Sequence, residues 1–274
     1  MKLLIATDME GASGVVHFDQ TDPSHPEYQR FRRILTADVN AAIQGAAAAG
    51  ASEFVVTDGH WFSTNILIEE LDPRARLNSG TPSPYSMVQG VDSGVDAAFF
   101  VGYHARSGTA NAILDHTWSS VRVLNLKLNG RLIGEFGLNA AMCGHFGIPA
   151  LMVSGDQAVC AEALEWVPGL ETAVVKQAAG RMAAECLPLA AAQQLIREAS
   201  ERAVRRFIAG VNPPALKMQL PVEVEIEFHY PQMVDNAALL PGATRVDGRT
   251  IRFSAPDMAA AYGAFRAAVA MSAR

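Results

Sequence analysis

The sequence predicts an α/β fold: an open, mainly parallel, doubly wound sheet with helices on both faces, followed by a smaller C-terminal α+β domain. Three observations lead there. Short apolar runs bounded by turn residues recur at 3–7, 53–57, 97–104 and 149–156, as strands buried on both faces do. The first two flank a helical pattern, giving strand, helix, strand in about 55 residues, the parallel crossover unit. Past residue 186 the character shifts: Val222-Glu223-Val224-Glu225-Ile226-Glu227-Phe228 alternates apolar with acidic, the pattern of a half-exposed antiparallel strand. The expected division is 1–186 for the α/β domain and 187–274 for the smaller α+β domain.

The first strand, Leu3-Leu4-Ile5-Ala6-Thr7, runs straight into Asp8-Met9-Glu10 and the turn Gly11-Ala12-Ser13-Gly14. In open parallel sheets ligands collect beyond the carboxyl ends of the strands, where these two carboxylates stand. They can converge on one cation if the backbone leaves the pleat at Met9. Alone, such a pair is commonly a turn-former or helix cap, so its meaning depends on what other strand ends carry. A polar loop through Asp22-Pro23-Ser24-His25-Pro26 leads to a helix over 27–49, with Phe31, Ile34, Leu35, Val39 and Ile43 at helical spacing and Gly50 as C-cap. The second strand ends in Asp58-Gly59-His60. Residues 72–84, rich in Pro, Ser and Asn, read as a surface connection with one short strand near Leu77. The third strand ends in Tyr103-His104.

Val123, Leu124, Leu126 and Leu128, then Asn129-Gly130, then Leu132 and Ile133 spell a hairpin with a type I′ turn. A helix opens directly behind it at Gly134-Glu135 and ends at Gly147. Glu135 in that first turn has an ordinary role open to it, complementing the helix dipole. Further elements are a helix over 158–166, a strand over 171–175, a long Ala-rich helix to residue 208, a hairpin over 244–253 around Asp247-Gly248 and a closing helix over 256–272. The Ala-rich helix is expected to be exposed. It and the acidic strand are candidate assembly contacts, although a solvated face is the commoner reason for such a strand.

The chain has 274 residues, 50% hydrophobic and 18% charged, with a net charge of −6. That balance, with no Lys/Arg cluster, argues against nucleic-acid or anionic-membrane partners. No run of 18 or more apolar residues suggests a membrane span, and Met1-Lys2 leads at once into a strand rather than a signal sequence. Cys143, Cys160 and Cys186 are odd in number and widely spaced, as buried reduced thiols are. A cytoplasmic location is expected. Ser13 and Ser154 lack a GxSxG context, and neither GxGxxG nor a P-loop is present.

Collected together, the strand ends and the start of the helix behind the hairpin give Asp8, Glu10, His60, His104 and Glu135. Two imidazoles with three carboxylates suit Zn²⁺ or Mn²⁺, and are too nitrogen-rich for Mg²⁺ or Ca²⁺. Five ligands exceed one tetrahedral zinc, and a carboxylate can bridge two ions about 3.5–4 Å apart. Asp8, short and on the most rigid strand, is the chosen bridge. His116 follows the loop Ser107-Gly108-Thr109. A lone histidine is more often a satisfied surface or core residue, but beside a metal it can carry a proton or stabilise an oxyanion. His17, His25, His145 and His229 read as structural.

At these residues the chain resembles the DppA-type zinc-dependent D-aminopeptidases, self-compartmentalising bacterial enzymes. The stretches that carry the likeness are Thr7-Asp8-Met9-Glu10-Gly11-Ala12-Ser13-Gly14, Thr57-Asp58-Gly59-His60, Ser86-Met87-Val88-Gln89-Gly90, Gly102-Tyr103-His104-Ala105-Arg106, Asp115-His116-Thr117, Gly134-Glu135-Phe136-Gly137-Leu138-Asn139-Ala140, Leu151-Met152-Val153-Ser154-Gly155-Asp156 and Ala173-Val174-Val175-Lys176. The resemblance puts the family's metal ligands on Asp8, Glu10, His60, His104 and Glu135 and its catalytic histidine on His116. It implies removal of an N-terminal residue, D-alanine favoured, from short peptides by a site with two Zn²⁺; Mn²⁺ or Co²⁺ stays open as the metal for these donors. It also implies a decameric homo-oligomeric ring. The loop 108–114 and the stretch 230–240 depart from the family pattern. Two rival readings remain open: a dinuclear amidase or phosphoesterase, for which only Arg106 offers a placed cation, and a non-catalytic peptide-binding protein with structural metal.

Overall fold

The computed structural model describes residues 1–272. In chain order the elements are β1 (Lys2–Thr7), α1 (Tyr28–Ala48), β2 (Glu53–Asp58), β3 (Ala75–Asn78), β4 (Ala97–Tyr103), β5 (Val123–Leu128), β6 (Arg131–Leu132), α2 (Glu135–His145), β7 (Ala150–Asp156), α3 (Gln157–Trp166), β8 (Glu171–Gly180), β9 (Ala183–Cys186), α4 (Leu189–Ile208), β10 (Val222–Phe228), α5 (Pro231–Ala237), β11 (Thr244–Arg245), β12 (Thr250–Ala255) and α6 (Met258–Met271). Seven strands form one sheet in the order β3-β2-β1-β4-β7-β8-β9. Every neighbouring pair is parallel except β8 with β9. Strand order reverses between β1 and β4, the kind of switch point at which open α/β sheets form their crevice.

Alternation along the strands divides the core in two. Leu3 and Ile5 of β1 share one buried cluster with Phe31, Leu35 and Val39 of α1 and Ile196, Ala199 and Val204 of α4. Leu4 and Ala6 face the opposite way, into a cluster with Phe136 of α2, Val224 and Ile226 of β10, and Tyr262 and Phe265 of α6. The expected doubly wound sheet is present, as is an antiparallel sheet beside it.

That second sheet runs β11-β12-β10-β5-β6, all antiparallel. Asn129 and Gly130 both have positive φ, at 49° and 79°, as a type I′ turn requires. Two of the three acidic side chains of β10 are paired sideways: Glu225 with Lys127 and Arg252, Glu227 with Arg249.

Several elements differ from expectation. The β5–β6 hairpin precedes residue 186 yet belongs to the second sheet, and α4 follows it yet packs on α1 and β8, so a boundary at 186/187 is crossed in both directions. Pairing partners about a hundred residues apart leave no local trace. The Ala-rich helix is not exposed along its length: Ala192, Ile196, Ala199 and Ala203 are buried, and the three alanines let it lie close on α1. β8 runs five residues further than expected and turns back as β9, and the short α5 begins at Pro231, which fits a first helical position.

Candidate metal centre

Two glycines let the first and fourth strand ends meet. Past β1, the Asp8 amide donates to the Val101 carbonyl at 2.9 Å and the Gly11 amide to the Gly102 carbonyl at 2.8 Å. Gly102 has φ +76°, and the Asp8 carbonyl lies where a side chain there would begin; the Tyr103 carbonyl stands likewise against Gly11. Only residues without Cβ permit that approach. It places Asp8 and Glu10 beside His104, while β2, paired to β1 on its other side, delivers His60.

The five strand-end and helix-start residues converge. His60 Nδ1 lies 3.3 Å from Asp8 Oδ1 and 3.0 Å from Glu10 Oε2. His104 Nε2 lies 3.2 Å from Asp8 Oδ2 and 3.2 Å from Glu135 Oε1. All five side chains are at most 5% exposed. His116 stacks on His104, ring centroids 4.0 Å apart and 11° from parallel, with Nε2 3.6 Å from Glu135 Oε1. Its 13% exposure makes it the most open of the six. Asp8, Glu10 and His104 can each offer an atom within 4.8 Å of the others, and so can His104, His116 and Glu135.

Each imidazole is oriented by a backbone carbonyl on its other nitrogen. His60 Nε2 is 2.9 Å from Thr21 O, His104 Nδ1 is 2.9 Å from Ala105 O, and His116 Nδ1 is 2.8 Å from Leu114 O. A carbonyl only accepts, so these nitrogens carry hydrogen and the opposite ones face the centre, the usual arrangement behind metal-binding histidines. Glu135 Oε1 also accepts from the Trp118 amide at 2.7 Å, tying α2 to the segment behind His116.

Burial pushes the Asp8 carboxyl up, but His104 and His60 outweigh it and hold Asp8 well below the usual carboxylate range. Burial likewise opposes charge on His60 and His104. Glu10 and Asp8 nevertheless raise His60 well above the ordinary imidazole value, and Glu135 and Asp8 do the same for His104. A closed pocket with three carboxylates demands positive charge. Asp8 Oδ2, Glu10 Oε2 and His104 Nε2 are buried without any hydrogen-bond partner, an arrangement normally avoided and one that a cation resolves. With nitrogen and oxygen donors together, the residues fit zinc.

Around these side chains lies a set of buried polar groups that the strand-end pattern left out, although Asp156 and Lys176 stand in the stretches that carry the family likeness. Lys176 Nζ donates to the carbonyls of Glu10, Ala12 and Val15, and Asp38 accepts from the amide and hydroxyl of Ser13. Glu162 accepts from the Arg106 amide at 2.8 Å and packs against Gly134, bracing the chain next to His104 and Glu135. Asp156 accepts from the Ile113 amide at 2.7 Å, ahead of His116. A lone charged residue directly after an apolar run was the available signal at Asp156 and Lys176. The Arg106 guanidinium turns to the Ser107 carbonyl. His17 caps a short turn through the Asp19 amide, His25 approaches Asp19, and His145 lies in the last turn of α2; His229 donates its backbone amide to Arg122 O.

Residues 1–267 match the model of the Peptidase M55 family, described as D-aminopeptidase. A D-aminopeptidase of Bacillus subtilis (strain 168) is 38% identical over 267 residues, covering 96% of this chain and 95% of that protein. A solved structure, the Zn-dependent D-aminopeptidase DppA from Bacillus subtilis, a self-compartmentalizing protease, superimposes with a TM-score of 0.95 at 35% identity, over 99% of this chain and 98% of that one.

Proposed function

The chain belongs to the Peptidase M55 family of D-aminopeptidases, and from that premise we propose that it is a zinc-dependent enzyme in which Asp8, Glu10, His60, His104 and Glu135 hold two zinc ions, with Asp8 shared between them. Its substrates are short peptides from which the N-terminal D-residue, D-alanine favoured, is released. One observation carries the count of two: the oxygens of Asp8 face opposite imidazoles, Oδ1 towards His60 and Oδ2 towards His104. His104 also borders both candidate groups, but it has one free nitrogen and cannot bridge; a carboxylate has two oxygens. Mn²⁺ or Co²⁺ suits the same donors.

When bound, zinc supplies Lewis acidity, polarising the scissile carbonyl and making water acidic enough to attack near neutral pH. The chain supplies the rest. Glu10 and His60 on one side, and Glu135 and His104 on the other, fix the donors on strand ends and a helix start. The Leu114 carbonyl holds the Nδ1 hydrogen of His116, leaving Nε2 as the nitrogen that takes or gives a proton at the developing oxyanion or the leaving amine. Stacking on His104 sets the plane in which that nitrogen moves.

The self-compartmentalizing relative supports a homo-oligomer, which we assign as a decameric ring; light scattering on the eluted protein reads its mass. The test of activity is release of alanine from D-Ala-D-Ala and, in parallel, L-Ala-L-Ala by zinc-loaded protein and a chelated control. Chelator-sensitive turnover of the D-peptide is expected. Turnover of the L-peptide alone rejects the stereochemistry, and no turnover by protein holding two zincs per chain rejects the reading for these substrates.

A further inference from the structure

Two of the motif stretches end in buried charged side chains that the metal assignment leaves unused, Ser154-Gly155-Asp156 and Val174-Val175-Lys176. Both residues are 1% exposed. They lie side by side, since Asp156 at the end of β7 is in register with Lys176 on β8. Each reaches a different loop. Lys176 Nζ donates to Glu10 O at 2.7 Å, Ala12 O at 2.9 Å and Val15 O at 2.6 Å, so all three ammonium hydrogens go to the turn that carries Glu10. Asp156 divides its oxygens: Oδ1 accepts from the Val159 amide at 2.9 Å, capping α3, and Oδ2 accepts from the Ile113 amide at 2.7 Å, three residues before His116.

Burial pulls the Lys176 ammonium down to about 8, with the neighbouring Asp156 charge opposing that shift. A buried cation is expensive to keep, and an apolar side chain of similar length would fill the volume. It would also leave three buried carbonyls unpartnered and the Glu10 turn free to settle elsewhere.

We propose that Asp156 and Lys176 form a positioning pair: Lys176 fixes the Glu10 turn and thereby metal affinity, Asp156 fixes the His116 loop and thereby proton transfer, and their places on adjacent strands hold both loops in one frame. The pair rests on the metal and His116 assignments above. Outer partners of metal ligands typically change affinity or activity by about 10- to 100-fold, which sets the expected size.

The experiment compares wild type, Lys176→Met and Asp156→Asn in two readouts: zinc affinity by competition with a chromophoric chelator, and kcat and KM on D-Ala-D-Ala at saturating zinc. Lys176→Met should weaken zinc binding by about 10- to 100-fold. Asp156→Asn should leave zinc affinity within a few-fold and lower kcat by about 10- to 100-fold with KM little changed. Zinc affinity unchanged in Lys176→Met, or lost in Asp156→Asn as much as turnover is, overturns the pair. If Lys176→Met does not fold, Lys176→Gln, which keeps amide hydrogens, replaces it. Failure of both to fold beside an intact zinc-free wild type makes Lys176 a folding determinant and also overturns the assignment. Wild-type protein that binds zinc yet releases no alanine sinks the peptidase reading alone, because the chelator titration still decides the Lys176 arm.

Discussion

The five converging side chains proposed as ligands and His116 are held by different means. Asp8, Glu10 and His60 follow the ends of β1 and β2, His104 follows β4 and Glu135 opens α2; all are almost sealed from solvent. His116 rides the connection between β4 and β5, where Asn111 and Leu114 have φ of 51° and 50°, a region that ordinary residues adopt rarely. That loop is kept in place by tethers: Ile113 to Asp156, Ser107 to Thr117, and Asp115 to Arg181. On the proposed assignment, strand ends and one helix start supply the immobile donors a metal needs, and a loop supplies the group that must meet an incoming peptide. Separating metal loading from turnover tests that division.

Asp8→Ala carries the largest expected effect. It removes the shared carboxylate from both sides, so zinc content and activity should fall together, turnover by about 10³-fold or more given the several kcal/mol that metal polarisation supplies. Elemental analysis beside a peptide assay checks it. A variant that keeps two zincs removes Asp8 from the bridge. His116→Ala comes next: zinc content intact, kcat lower by about 10²- to 10⁴-fold. Full activity in that variant strikes His116 from the mechanism, and loss of zinc merges it with the ligands and ends the comparison.

The two parts also differed in how readable they were. That Asp8, His60 and His104 share a crevice follows from apolar runs that each stop at an acid or imidazole, because buried parallel strands leave their polar residues only at their ends. His116 has no such run before it; its place depends on a loop path set by tethers to Asp156 and Arg181, which are distant in sequence. The β5–β6 hairpin was legible from Asn129-Gly130, but not its partner, since β10 lies far along the chain and pairing register is a tertiary matter. The burial of α4 was hidden for a different reason. Its contact stripe is largely alanine, too weakly apolar to announce a buried face, and its polar remainder reads as solvated.

Protonation offers a middle-sized test of the ligand side. In the zinc-free protein Glu10, Glu135 and Asp8 raise His60 and His104 well above the usual imidazole range, so near pH 7 both hold protons where the metal's positive charge would act. Zinc takes neutral imidazole, so binding must expel protons and strengthen as pH rises, by about tenfold per unit for each proton released. The zinc-free fold behaves oppositely: raised imidazoles stabilise it below their unfolded value and lose that contribution as pH climbs through the folded one. Calorimetric titration in buffers of different ionisation enthalpy counts the protons. None released at pH 7 means the imidazoles are already neutral and the carboxylates are not the dominant influence.

The smallest effect is expected at Arg181, and it sharpens the comparison most narrowly. Its guanidinium donates to Asp115 Oδ1 at 2.7 Å and to the Asp115 carbonyl at 2.9 Å, and its own carbonyl accepts from the Leu114 amide. The turn between β8 and β9 thus grips the two residues ahead of His116, a use for the strand extension beyond residue 175. The Arg181 side chain is 48% exposed, and exposed ion pairs contribute about 0–1 kcal/mol. Arg181→Ala removes the guanidinium but not the backbone tether, so kcat should fall by no more than about fivefold with zinc content unchanged. Arg252→Ala, an equally exposed pair on the second sheet, should leave turnover alone and serves as the reference. A loss in Arg181→Ala as deep as in His116→Ala would mean that one exposed tether governs the loop and that Asp156 contributes little. No loss at all would place the whole burden of aligning His116 on buried groups, the same principle by which the sheet holds the metal ligands.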